Sequence, residues 1–169
     1  MLLKQISVFV ENRHGAIRDI AGVLANAGIN IRAMSIADTA DFGIVRLIVD
    51  KRKEALSALR ENGMTVKETD VLALSVPDRP GAMYEALTAL AASEVMIEYS
   101  YGFVSPINGE ATCILRCDDQ EKALGCLTSK GFRRRKRSNK AKGERPARML
   151  PIFPFTFRRV SGIILHAVK

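Results

Sequence analysis

The chain has no tryptophan, only three tyrosines and seven phenylalanines, two histidines and three cysteines in 169 residues. Each shortage excludes something. Cys113, Cys117 and Cys126 form an odd set without metal-ligand spacing, so they read as reduced thiols of a cytosolic protein, not as a disulfide frame or a metal centre. The two histidines, His14 and His166, leave little for nucleophilic catalysis, because nothing in the pattern sets a cysteine beside His14. There is no P-loop and no dinucleotide glycine fingerprint. The acidic pair Asp118-Asp119 opens a helix, where the helix dipole accounts for it. No catalytic residue, cofactor or metal ligand is therefore assigned, and the chain reads as a non-enzyme. No apolar run approaches the length of a membrane span. Met1-Leu2-Leu3-Lys4 enters a strand pattern with no signal-peptide core, so a cytoplasmic location and no membrane partner are expected.

Charge is scarce in one place and concentrated in another. The formal net charge is +8. Residues 1–132 carry 14 Lys and Arg against 17 Asp and Glu, whereas residues 133–169 carry 12 Lys and Arg against one Glu. The body is mildly acidic and the basic excess lies wholly in the tail. Any attraction to nucleic acid is expected through the tail alone.

What the chain does have is a repeat. Val10-Glu11-Asn12-Arg13-His14-Gly15-Ala16 returns 66 residues later as Val76-Pro77-Asp78-Arg79-Pro80-Gly81-Ala82. Ala55-Leu56, Leu59 and Gly63 return as Ala123-Leu124, Leu127 and Gly131, and a two-residue insertion reconciles the offsets. Two copies of one small fold follow. A lone unit of this size buries little core, so the copies are expected to pack together or to dimerise as a pair.

Each copy carries the same pattern. Ile6, Val8 and Val10 alternate as a half-buried strand. Ile17, Ile20, Ala21 and Leu24 fall at helical spacing, with Gly28 as the closing glycine. Strands are expected over 29–37, 44–50 and 64–68, with a helix over 52–61 ended by Gly63. Copy two repeats the order with Leu72, Leu74 and Val76, then Met83, Ala86, Leu87 and Leu90, strands over 95–103 and 111–117, and a helix over 119–129. The β-α-β-β-α-β order predicts an α+β, ferredoxin-like fold, with both helices on one face of an antiparallel sheet and the other face left for something to cover. The expected domains are residues 1–69 and 70–132. Copy two lacks a clear final strand, because Arg133-Arg134-Arg135-Lys136-Arg137 stands where that strand is due.

The repeated signal lies where the first strand meets the first helix. Asp78 is a natural cap, Pro80 suits a first helical turn, and Gly81 admits a ligand or a neighbouring backbone. Free amides at the helix start favour a carboxylate. Spacing alone favours a well-made turn without a ligand.

These residues carry a resemblance. Glu11-Asn12-Arg13-His14-Gly15 through Ala27-Gly28-Ile29-Asn30-Ile31, and Asp78-Arg79-Pro80-Gly81-Ala82-Met83, resemble the ACT domain. The similarity covers about residues 4–132. It implies a tandem regulatory protein that binds a small molecule, usually an amino acid, where two domains meet in a continuous sheet, with a homodimer expected. By position the ligand loop maps onto Asn12, Arg13, His14, Gly15, Ala16 and Ile17, and onto Asp78, Arg79, Pro80, Gly81, Ala82 and Met83. The contact at the start of the second strand maps onto Asn30, whose amide offers both donor and acceptor to a zwitterion. Copy two has Met96 there, which puts a second equivalent site in question and suggests one site built from loop 78–83 with Asn30.

Two other readings stay open. The same strand order serves RNA-recognition motifs, and Tyr101-Gly102-Phe103-Val104 resembles part of their aromatic signature. That tetrapeptide ends the wrong strand, however, and the body is acidic, so Tyr99, Tyr101 and Phe103 are expected to form an apolar face covered by a partner sheet. A regulatory subunit of an amino-acid biosynthetic enzyme differs from a stand-alone sensor only in having an enzyme partner. The basic tail, 133–169, reads either as a poorly ordered functional arm or as the product of a shifted reading frame.

Overall fold

The computed structural model describes residues 2–38, 42–105 and 110–132. The expectations for the basic tail and for a final strand in copy two lie outside these residues. Ten elements follow in chain order: β1 (Leu2–Glu11), α1 (Ala16–Asn26), β2 (Ile31–Asp38), β3 (Phe42–Val49), α2 (Arg52–Glu61), β4 (Thr65–Pro77), α3 (Ala82–Ala92), β5 (Ile97–Ser105), β6 (Glu110–Cys117) and α4 (Gln120–Ser129). None of the described helices is long and apolar enough to cross a membrane.

The strands form one sheet in the order β2-β3-β1-β4-β6-β5. All five pairings are antiparallel. The expected last strand of copy one and first strand of copy two turn out to be a single strand, β4. Its residues Thr65 to Leu72 pair with β1, and Leu72 to Pro77 pair with β6. Thr69-Asp70-Val71 contains no glycine or proline, so nothing breaks the extended chain between the copies. The boundary expected between residues 69 and 70 falls inside this strand.

Alternation along the strands divides the residues between two faces. On the helix side of copy one, Ile6, Val8, Val45 and Leu47 pack with Ile20 and Leu24 of α1 and Ala55, Leu56 and Leu59 of α2. In copy two Leu72, Leu74, Val76, Cys113 and Leu115 pack with Ala86 and Leu90 of α3 and Ala123 and Leu127 of α4. Burial of each large aliphatic side chain contributes about 1.5–3 kcal/mol.

The helix-free face is also buried. Val71, Ala73 and Ile114 form a core there with Leu3, Ile48 and Tyr101. Gln5 is fully buried on the same face. Its Nε2 donates to Ser7 Oγ and to the Tyr99 hydroxyl, and its Oε1 accepts from the Tyr101 hydroxyl. The Arg46 guanidinium lies 4.0 Å from the centroid of the Tyr99 ring. In a flat sheet β1 and β5 would stand roughly 14 Å apart, and β3 and β5 roughly 19 Å. The sheet therefore coils over its helix-free face until the two halves meet. Each copy covers the face that the other leaves open: Tyr101 packs on that inter-copy core and Tyr99 bonds Gln5 across it, as expected of a covered face instead of a stacking platform, while the Phe103 side chain lies outside the described residues.

Candidate functional site

The two helix-opening loops have the same backbone. In copy one the N–H of Arg13 donates to Glu11 O, that of Ala16 to Arg13 O, and that of Asp19 to Gly15 O. In copy two Arg79 donates to Pro77 O, Ala82 to Arg79 O, and Glu85 to Gly81 O. Gly15 and Gly81 occupy the cap positions with φ of 84° and 87°, a left-handed conformation that glycine adopts without steric cost.

This corrects two expectations. Asp78 does not cap α3, and Pro80 does not enter its first turn, because the cap residue is Gly81, which makes no side-chain cap bond, and the helix begins at Ala82. The same holds for α1. A glycine at the cap supplies no side-chain acceptor to the amides of Ile17 and Arg18, or to those of Met83 and Tyr84. Those orphan donors and the positive helix end are what an anion finds attractive.

Sequence reading missed the groups that hold the loops. Arg13 Nη2 pairs with Asp19 Oδ2 at 2.8 Å, and Arg18 Nη2 with Asp19 Oδ1 at 2.9 Å. In copy two Arg79 Nη2 reaches both carboxylate oxygens of Glu85, at 2.9 and 2.8 Å. The loop arginine and its acid are spaced identically in the two copies, a signal present in the sequence beside the repeated glycine. Hydrogen bonds from Arg18 and then Arg13 hold the Asp19 carboxyl below the ordinary aspartate range. Each arginine also donates to a loop carbonyl, Arg13 to His14 O and Arg79 to Pro80 O.

The remaining candidates fall as follows. His14 is exposed, and Ile17 is 37% exposed. Ala16 and Ala82 are buried as the first residues of their helices, and Met83 is half-buried against the copy-two core. Asn12 lies against Gly43 of β3: a Cβ on that glycine would sit 3.0 Å from Asn12 Oδ1.

Asn30 is exposed just before β2, and its N–H donates to Asp50 Oδ1 at 2.9 Å while its carbonyl accepts from the Asp50 N–H. That bond from Asn30 is the main reason the Asp50 carboxyl sits below its ordinary range. Met96 repeats the device with Asp118, at 3.0 Å. The backbone of the position is thus kept in copy two, and only the side chain is lost. Met96 is 64% exposed.

Register separates these parts. Glu11 pairs with Phe42 at the start of β3, whereas Ile31 pairs with Val49 at its end. Loop 12–17 and Asn30 therefore lie at opposite ends of copy one, roughly 24 Å apart along β3. Because β1 and β4 are antiparallel, loop 78–83 leaves the end of the sheet at which Asn30 lies.

The cysteines stand apart. Cys113 and Cys117 are buried free thiols, and Cys126 is half-buried. Burial pushes the Cys113 thiol up to about 11, which suits a core residue and not a nucleophile.

Comparison with known proteins agrees with the fold. A family model described as an ACT domain pair matches residues 1–136. The crystal structure of protein BT0572 from Bacteroides thetaiotaomicron is similar at 39% identity and a TM-score of 0.74, covering 78% of this chain and 90% of that one. The ligand-free regulatory subunit of aspartate kinase from Thermus thermophilus shares the fold at 18% identity and a TM-score of 0.56, covering 76% of this chain and 96% of that one. No curated protein matches the chain.

Proposed function

Because the chain belongs to the family of ACT domain pairs, we propose that it is a non-catalytic regulatory protein that binds an amino acid at its helix-opening loops. The observation that carries this reading is the loop built twice: a left-handed glycine in place of a side-chain cap, with an arginine bridged to an acid beside it. A carboxylate would take the uncapped amides and draw on the arginine. Asn30 would meet the ammonium or carboxylate of a ligand held at an interface between copies, since its own loop lies at the far end of the sheet. The Thermus thermophilus relative is a regulatory subunit of aspartate kinase, which supports a second expectation, that this chain acts on an enzyme partner.

Binding would shift an equilibrium of the chain or its partner only through a difference in affinity between states. The test is a thermal-shift screen of the twenty amino acids on the full chain. One or a few should raise the melting temperature in a concentration-dependent way, and Asn30→Ala should weaken that response without lowering the melting temperature of the free chain. A flat response to all twenty overturns the reading.

A further inference from the structure

The cover on the helix-free face of copy one is incomplete. Gln5 and Ser7 are buried there, but further along the same face Phe9 of β1 is 42% exposed and Phe42 of β3 is 62% exposed. Phe9 stands opposite Ile44, and Glu11 opposite Phe42. The two aromatic residues are therefore diagonal neighbours on adjacent strands, roughly 7–8 Å apart. Ile44 and Ala37, paired across β3 and β2, continue the apolar strip and are half-buried.

Copy two provides the contrast. By strand register Ser75, Thr112 and Glu110 are the equivalents of Phe9, Ile44 and Phe42. Ser75 and Thr112 are buried, and Ser75 Oγ donates to Glu110 Oε2 at 2.7 Å. The repeat is thus inverted: aromatic groups stand exposed in copy one where polar groups stand buried in copy two. Folding alone favours the reverse, because an exposed ring adds nothing to the core. Single exposed apolar residues are ordinary, but a contiguous exposed strip marks a binding surface.

Cations border the strip. Arg46 and Lys67 flank Ser7 on the same face, one row from Phe9 and roughly 7 Å away along the strands. Lys67 is exposed, and Arg46 is half-buried with its guanidinium over the Tyr99 ring. Glu11 stands on this face too, at the far end beside Phe42. Aromatic rings on two adjacent strands with cations alongside suit unstacked bases and their phosphates. A duplex hides the faces of its bases, so such a surface takes a single strand. The sequence supplies further attraction, since residues 133–169 carry 12 Lys and Arg against one Glu.

We propose that the exposed end of the copy-one sheet binds single-stranded nucleic acid, with bases stacked on Phe9 and Phe42 and phosphates drawn to Lys67 and Arg46. The sequence suggested attraction through the tail alone, and this surface extends it to the folded body. The proposal goes beyond the amino-acid reading, and its tests use no amino acid.

Fluorescence anisotropy of the full chain with a labelled oligouridylate should show binding that weakens with salt. An RNA duplex of the same length should bind more weakly. Phe9→Ala and Phe42→Ala should each weaken single-strand binding by about tenfold, with the salt dependence unchanged because no phosphate contact is lost. Phe42→Ala, at the more exposed of the two positions, should keep the parent melting temperature, and Phe42→Tyr should bind like the parent chain. Lys67→Ala should reduce the salt slope by about one. A parent chain that does not bind oligouridylate overturns the proposal. So does one that binds the duplex equally well, or a pair of alanine variants that bind like the parent, because the basic tail by itself would give both results.

Discussion

Gln5 on β1 and Tyr99 on β5 share a 2.9 Å hydrogen bond although three strand positions separate them in the sheet. The amide of Gln5 is satisfied at both ends, by Ser7 and Tyr99 on its nitrogen and by Tyr101 on its oxygen. A fully buried glutamine is tolerated only when paired in this way. The bonds also fix where the two halves meet, since a shift along either strand would strand three polar groups. Burial pushes the Tyr101 hydroxyl well above its ordinary range, so it stays protonated and remains a donor to Gln5.

Gln5→Leu keeps the volume and removes the partner. It should cost about 2–4 kcal/mol, because two tyrosine hydroxyls lose their buried acceptor or donor. Adding Tyr101→Phe should recover part of the loss, a non-additivity expected of residues in one network. Urea unfolding gives both quantities, with the slope unchanged if the halves still meet. A loss below about 0.5 kcal/mol would mean that the inter-copy contact does not hold these groups.

Gly15→Ala and Gly81→Ala should each destabilise by about 1–2 kcal/mol, the cost of an L-residue at positive φ. Gly22 offers the opposite case. It is exposed within α1, and an added Cβ would meet nothing within 4 Å, so Gly22→Ala should stabilise by about 0.5–1 kcal/mol. Chemical denaturation of the three variants checks the signs. If the loops bind an amino acid, the first two should also lose the ligand-induced rise in melting temperature.

Much of this architecture is legible in the sequence. The repeat, the helices and the glycines that end them follow from spacing, because amphipathic period and left-handed glycines are local properties. The continuity of β4 is less so, since a strand that serves two cores in succession looks like two strands when each core is sought alone. Coiling of the sheet is visible only as the demand that something cover its open face. Asp78 reads as a cap for a plain reason. Aspartate before a helix commonly caps it, but the left-handed Gly81 takes the cap position here and leaves the Asp78 carboxylate outside the turn.

Acid should loosen the two aspartates that brace the candidate site. The Asn30 N–H holds the Asp50 carboxyl below its ordinary range, and Arg18 and Arg13 do the same for Asp19. A carboxyl whose folded pKa lies below its unfolded value stabilises the fold above the unfolded pKa, about 3.9. That contribution is lost as pH falls through the folded value. The melting temperature should therefore drop on acidification from about pH 5 to pH 3, and the drop should be shallower in an Asp19→Asn, Asp50→Asn double variant. Thermal melts across that range check it, and parallel curves for the two proteins would show that neither carboxylate is linked to folding.

Glu94 is the one non-glycine residue at positive φ among the described residues, at 52°. It stands where copy one has Gly28, at 63°. The bonds that close the helices are the same: Gly28 donates to Ala25 O and Ile29 to Leu24 O, as Glu94 donates to Ala91 O and Val95 to Leu90 O. Copy two has kept the turn and lost the residue that fits it. An L-residue in this conformation costs about 1–2 kcal/mol, and glycine returns part of that as extra freedom of the unfolded chain. Glu94→Gly should therefore stabilise the protein by about 0.5–1 kcal/mol, and Gly28→Glu should destabilise it by a similar amount. Urea midpoints for the two variants give the comparison. Opposite signs of like size would establish that the two turns are equivalent in energy as well as in shape, whereas a destabilising Glu94→Gly would mean that the Glu94 side chain makes a contribution its exposed position does not suggest.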